Sequence, residues 1–132
     1  MREILFRGKR IDNGEWLEGS FLNDRDGSFY ICPAVSDISY GDGGNRRRIG
    51  CWYKVDPSTV GQYTGLKDKN GKRIFEGDIL CFDKTVFVCY WDGGNIEFGL
   101  RNNEESIGMA YMAVYDAEII GNVHDNPELL EK

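Results

Sequence analysis

The sequence predicts an all-β chain of hairpins, an antiparallel barrel or sandwich, with a small antiparallel β-barrel (SH3-like or similar) the leading form, and at most one or two short helices. Three observations lead to that class. Seventeen glycines stand against three prolines, beside seven Phe, seven Tyr and three Trp, a balance that suits strands and tight turns better than a helical bundle. Runs of β-branched and aromatic residues recur at close spacing, with Gly, Asn and Asp between them. No long amphipathic helical period separates the runs, so parallel strands would have no crossover to join them.

Taken in order, Ile4 to Ile11 reads as a first strand and Asp12-Asn13-Gly14-Glu15 as the turn into a second, Trp16 to Leu22. Asp24-Arg25-Asp26-Gly27 closes another hairpin into Ser28 to Cys32, and Pro33 ends that strand because it has no N–H for a ladder. The first third is thus a three-stranded meander. Ser36 to Gly50 holds Gly41-Asp42-Gly43-Gly44-Asn45 and Arg46-Arg47-Arg48 with few apolar anchors, which predicts a mobile Gly/Arg-rich loop over about 36–50. Cys51 to Val55 resumes an extended segment, and Asp56-Pro57 breaks it, with a single turn of helix expected over Pro57 to Thr59.

The run from Val60 to Leu80 sets two strand-like segments around Asn70-Gly71, a pair that tolerates the positive φ angles tight hairpins need. Within it, Gly77 suits a bulge or a close backbone approach, and Asp78 suits a turn held by accepted N–H bonds. Ile79 to Phe82 and Val86 to Trp91, joined by Asp83-Lys84, read as central strands. Asp92-Gly93-Gly94-Asn95 then turns the chain into Ile96 to Arg101, where Ile96, Phe98 and Leu100 alternate with Glu97, Gly99 and Arg101 as burial of one face requires. Ile107 to Tyr115 fits helix by its Met and Ala residues and strand by its Tyr and Val residues, and both options stay open. Glu118 to Val123 reads as the last strand, and Asn126 caps a short terminal helix with Pro127 at its first position and Glu128 in its first turn.

At 132 residues the chain has the length of one domain, residues 1–132, with enough apolar content for a core. Its net charge of −6 is unevenly placed: residues 1–50 carry eight basic and eight acidic side chains, 51–90 six and five, and 91–132 two and nine. The sums are 0, +1 and −7, so a chain-wide attraction for phosphate backbones is disfavoured. Cys32, Cys51, Cys81 and Cys89 form no C-x-x-C pair, which argues against structural zinc. The start Met-Arg-Glu-Ile carries no long apolar stretch and no segment approaches membrane-spanning length, so a cytosolic location with reduced thiols is expected. No cofactor or metal is expected.

Candidate sites are few. His124 is the only histidine and has no nucleophile in a recognisable setting near it in sequence. Glu76 and Asp78 form a carboxylate pair, better explained as turn structure, and Gly41-Asp42-Gly43-Gly44 lacks the Gly-Lys-Ser/Thr ending of a phosphate loop. Arg46, Arg47 and Arg48, followed by Trp52 and Tyr53, have the residue types that clamp phosphates and stack bases in single-strand binders. A solvated loop paired to the acidic C-terminal portion is the plainer reading of the same residues. Gln62 and Tyr63, between two glycines, are a candidate ligand contact, against a tyrosine packed into the sheet as the default.

Three blocks carry a resemblance. They are Phe6-Arg7-Gly8-Lys9-Arg10 through Gly14-Glu15-Trp16-Leu17-Glu18-Gly19, Val55-Asp56-Pro57-Ser58-Thr59-Val60 on to Ile79, and Glu118-Ile119-Ile120-Gly121-Asn122-Val123 with Asp125-Asn126-Pro127-Glu128-Leu129. With them the chain resembles the YopX family of small phage- and prophage-encoded proteins. The resemblance implies an all-β fold containing a small barrel, and a phage or prophage origin with action in a bacterial cytoplasm. It implies no reaction and no catalytic residues, and Ser36 to Gly50 lies outside the matching blocks.

The leading expectation is therefore a non-enzymatic binding module for a host or phage macromolecule. A protein partner is preferred over nucleic acid, no membrane partner is expected, and self-association stays open. The rivals are a single-stranded nucleic-acid binder using Arg46 to Arg48 with Trp52 and Tyr53, and an enzyme acting on a small molecule through Asp78, Glu76 and His124. The acidic C-terminal portion suggests a further variant, mimicry of nucleic acid toward a basic partner.

Overall fold

The computed structural model describes residues 3–33, 39–40, 47–48, 52–109 and 116–130. Every strand pair among them is antiparallel, and the helical segments among the described residues are short 3₁₀ turns. The all-β, hairpin-built expectation holds. The strand orders of the sheets do not close into a ring, and no closed barrel is found among the described residues. A single bridge, Arg10 opposite Val55, flanked by Ile11 N–H to the Lys54 carbonyl and Asp56 N–H to the Lys9 carbonyl, ties the end of the first strand to the segment Tyr53–Val55.

The chain divides into two compact units, Ile4–Gln62 and Met1–Glu3 with Tyr63–Lys132. In the first, β1 (Phe6–Lys9), β2 (Trp16–Asn23) and β3 (Phe29–Pro33) form the expected meander, with β6 (Tyr53–Val55) added beside β3. β1 is shorter than the sequence suggested because the turn begins early: Arg10 N–H donates to the Glu15 carbonyl, Gly14 N–H to the Arg10 carbonyl, and the Asn13 side chain accepts from Glu15 N–H. Alternation sends Phe6, Phe21 and Phe29 to one face, where their rings pack at 5.2 and 5.0 Å between centroids, together with fully buried Ile31 and Val55. The Asp24 carboxylate organises the second turn by accepting from Asp26 and Ser28 N–H. Those bonds, the one from Ser28 foremost, hold its pKa below the ordinary value.

β4 (Ser39–Tyr40) and β5 (Arg47–Arg48) pair as a separate two-stranded ladder, Ser39 opposite Arg48 and Tyr40 opposite Arg47. The rest of the expected loop, 36–38, 41–46 and 49–50, lies outside the described residues. After β6 comes the expected helical turn, Pro57–Thr59, capped by Asp56, whose carboxylate accepts from Ser58 N–H at 3.0 Å.

β7 (Gly61–Lys67) pairs its first residues with β1 in the first unit and its later ones with β8 (Arg73–Phe75) in the second. The turn between them differs from the expected two-residue form. Five residues, 68–72, separate the paired Lys67 and Arg73, and only Gly71 of the Asn-Gly pair has positive φ, at 79°. The reason is Asp68, whose carboxylate accepts from Asn70 and Lys72 N–H and so widens the loop around itself. The turn with both central residues left-handed sits instead at Asp83-Lys84, φ 48° and 67°, between β9 (Asp78–Phe82) and β10 (Thr85–Asp92).

In the second unit the sheet runs in the order β12, β11, β10, β9, β13, with β11 spanning Glu97–Arg101, β12 Ser106–Gly108 and β13 Glu118–Asn122. Ile74, Leu80, Phe87, Cys89, Leu100, Met109 and Ala117 form its core. Of the segment whose type was left open, Ser106–Gly108 is strand, and 110–115 lies outside the described residues. Gly77 and Asp78 serve the backbone as expected: Gly77 N–H donates to the Cys89 carbonyl, and the buried Asp78 carboxylate accepts from Phe75 N–H at 2.7 Å. The terminal turn is Pro127–Leu130, with Leu129 N–H donating to the Asn126 carbonyl.

Both sheets end on strands that are short or irregular. β6, β8 and β12 have three residues each, β6 is bonded on its outer side to residues 9–11, and β13 shifts register between Ile119 and Gly121.

One expectation is overturned. Ile96 does not join Phe98 and Leu100 on the buried face but stands 77% exposed, with φ 55°. The turn before it explains this: the Asp92 carboxylate accepts from Gly94 N–H, Asn95 N–H and the Asn95 side chain, so β11 starts one residue later than the alternation suggested.

Candidate functional site

Arg46 lies outside the described residues, and Arg47 and Arg48 are described only as the backbone of β5. Trp52 is 41% exposed. Tyr53 follows it in β6, and its ring is covered by the Arg10 guanidinium 4.3 Å from the centroid. Arg10 is in turn clamped by Asp12, with Nε and Nη2 donating to the two carboxylate oxygens at 2.9 and 2.6 Å. That bond, the largest influence on Asp12, lowers its pKa and holds the pair charged. Of the two aromatics expected to stack bases, Trp52 is exposed and Tyr53 is half-buried with one ring face against Arg10.

Gln62 lies opposite Phe6 in the ladder and is half-buried, whereas Tyr63 points to the other side of β7 and packs on Phe75 with ring centroids 5.6 Å apart. The structure therefore separates this pair across the strand. Asp78 is committed to the backbone of its own turn, and exposed His124 donates its N–H to the Asn122 side chain. Among the described residues no group of three or more His, Cys, Asp or Glu could hold a metal ion, and no helix is long and apolar enough to cross a membrane.

Two features of the second unit were not anticipated. The first is the tip of the β10–β11 hairpin. Trp91 and Phe98, directly opposite in the ladder, meet edge-on with centroids 5.0 Å apart, and Trp91 remains 47% exposed. With Ile96 they make an apolar tip flanked by Asp92 and Glu97, themselves cross-strand partners. Hydrogen bonds from Asn95, its side chain first, keep the Asp92 pKa low and the carboxylate charged. The sequence held one signal, a β-branched residue directly after a Gly-Gly-Asn turn, where a left-handed conformation is common.

The second feature is a groove of about 480 Å³ near the other end of β10. Val86, Val88, Val123, Leu129 and Leu130 give it apolar walls, and Lys84 and Arg101 bring positive charge, with Glu104 the only acid among the lining residues. Asn102 fixes one side: its carbonyl oxygen accepts from Glu104 and Glu105 N–H, and its amide donates to the Val86 carbonyl. Asn126 fixes the other, accepting from Asn122 N–H while its own N–H donates to the Asn122 carbonyl. Arg101 is steadied by the Tyr90 ring, 4.4 Å from guanidinium carbon to centroid.

A family model described as "YopX protein" matches residues 5–131. The chain belongs to the YopX family. Among solved structures it is similar to the crystal structure of protein EF1440 from Enterococcus faecalis, at 29% identity and a TM-score of 0.66, over 99% of this chain and 100% of that one. A search of curated proteins finds no match. For this YopX chain the family and the neighbour support the all-β scaffold.

The strain at the tip is directly testable. A β-branched residue in the left-handed region costs about 1–2 kcal/mol that glycine avoids, and Ile96, 77% exposed, gains little burial to offset it. Ile96→Gly is expected to stabilise the chain by about 1 kcal/mol, read as a higher urea midpoint at unchanged slope. A lower midpoint would show that Ile96 supports the fold.

Proposed function

We propose that the chain is a non-enzymatic binding module of phage or prophage origin that engages a host or phage protein in the bacterial cytoplasm. The observation that carries this reading is the apolar hairpin tip: Trp91 and Ile96 are exposed, and Ile96 is held in a conformation that favours glycine. An exposed tryptophan beside an exposed aliphatic residue, flanked by charge, is the composition of a binding hot spot with its polar rim. Backbone strain at a residue that gains little burial supports a role in contact with something outside the chain.

The test is affinity purification from bacteria carrying the phage or prophage, with the wild-type chain and its Trp91→Ala and Ile96→Gly variants as baits. Proteins held by the wild type and lost from both variants are expected. Equal capture by all three baits would remove the tip from the function, and capture of nucleic acid alone would replace the reading.

The nucleic-acid alternative is favoured by one observation, the exposed Trp52 near the three arginines in sequence. Against it, residues 4–62 carry eight basic and eight acidic side chains, and Tyr53 is already covered by Arg10. Titration with a single-stranded oligonucleotide decides between the readings. Affinity that falls steeply with salt and collapses when Arg46, Arg47 and Arg48 are all replaced by Ala would establish the alternative.

A further inference from the structure

The hairpin tip and the groove are complementary in shape class and charge, and we infer that the tip of one chain docks in the groove of a second copy. The inference rests on the reading of the tip as a binding surface and names its partner. The tip presents Trp91 and Ile96 at its end, with the cross-strand pair Asp92 and Glu97 projecting from the face opposite Trp91; the groove presents valine and leucine side chains beside Lys84 and Arg101. A volume of about 480 Å³ lies within the range of pockets that take a compact apolar ligand, and an indole with one aliphatic side chain is such a ligand. The two acids of the tip then meet the two cations of the groove, with Glu104 setting the direction of approach by repulsion.

The tip cannot fill the groove of its own chain. Both are built on β10, with Val86 and Val88 in the groove and Trp91 at the far end of the same strand. At about 3.4 Å per residue, Val86 and Trp91 stand roughly 17 Å apart. Val86 and Val88 also face the opposite side of the sheet from Trp91, because side chains alternate along a strand. A continuous strand paired on both sides, to β9 and to β11, does not fold back on itself. The groove is prepared for an occupant, since asparagine hydrogen bonds fix its two sides and less ordering remains to oppose docking.

Contact between two different surfaces of identical chains is a heterologous interface, which leaves one tip and one groove free at each step. A single hairpin tip buries a small area, so the association is weak and grows with concentration. Lys84 already occupies a left-handed position and is exposed, as is Arg101, so both can be changed without opening the core.

Sedimentation velocity on the full chain over increasing concentration, up to roughly 1 mM, tests the inference. The wild type is expected to shift to larger species, whereas Trp91→Ala and the double variant Lys84→Glu with Arg101→Glu stay monomeric, with circular dichroism matching the wild type. Mixing the two variants is the decisive arm. The tip variant keeps its groove and the groove variant keeps its tip, so the mixture is expected to form dimers and stop there. A wild type that stays monomeric throughout, or a mixture that stays monomeric while the wild type associates, overturns the inference. Tip-dependent capture of another protein from cells would then leave the binding-module reading standing without it.

Discussion

Replacing Gly19 by alanine is expected to remove about 3 kcal/mol or more from the stability of the N-terminal unit. Gly19 lies in the middle of β2, opposite Phe6 on one side and Pro33 on the other. A Cβ built there falls 1.8 Å from the Cys32 carbonyl oxygen, 2.7 Å from its carbon and 2.9 Å from the Pro33 Cα. All three are backbone atoms, so no rotamer change relieves the clash, and β3 must move away from β2. That displacement breaks a ladder whose same face carries the stacked phenylalanines and buried Ile31. Urea unfolding followed by the fluorescence of Trp16, in the same strand, reads the effect. The neighbouring exposed Ser20→Ala serves as the control and is expected to change stability by less than about 0.5 kcal/mol. Equal midpoints for the two variants would show that the strands separate at little cost.

The second large effect is expected at Asp68. This carboxylate, 5% exposed, accepts from Asn70 and Lys72 N–H through one oxygen and from Ile119 N–H through the other, each at 2.9 to 3.0 Å. It thereby ties the β7–β8 turn to β13, 51 positions away in sequence. Asp68→Ala leaves three backbone donors to find new partners, and a loss of roughly 2–4 kcal/mol is expected. Burial by itself would raise the Asp68 pKa, but the bonds from Ile119, Lys72 and Asn70 together prevail and lower it. The sign of the pH dependence follows. A carboxylate with a depressed folded-state pKa contributes stability that is present above its unfolded value, near about 3.9, and is lost as pH falls through the folded value. The stability gap between wild type and Asp68→Asn is therefore expected to be constant near neutrality and to narrow below about pH 4. A gap that widened on acidification would refute the assignment of these bonds to the ionised form.

Much of the fold was legible because local chemistry decided it. The meander, the Pro57–Thr59 turn, the β9–β10 pair and the terminal turn at Pro127 all stand where Gly, Pro, Asx and alternating apolar residues placed them. Departures occurred where a side chain reached beyond its own element. Asp68 enlarged a turn that Asn70-Gly71 alone would have kept tight, because its second oxygen was needed by β13. Ile96 left the apolar stripe because Asp92 and Asn95 closed the turn one residue further on. Gly77 and Asp78 were read correctly as backbone devices, since their task is completed within the turn and the strands beside it.

The candidate sites were less legible, for a physical reason. Arg46 to Arg48 and Gln62-Tyr63 drew notice by adjacency in sequence, yet alternation along a strand sends adjacent side chains to opposite faces. The groove gathers Lys84, Arg101 and Val123 from different elements, and the tip gains its meaning only from exposure. Neither property is written in a local motif.

The ends of the sheets have one more consequence. An edge strand offers unpaired amides to any passing chain, and a long flat edge seeds fibrils. Here β6 is bonded on its outer side to residues 9–11, β8 and β12 are three residues long, and β13 is broken by its register shift and begins with Glu118. Such edges give a growing cross-β stack too few consecutive amides to extend. Among the described residues, then, the apolar surface offered to other chains lies in side chains at the tip, and the sheet edges are poor templates for cross-β growth.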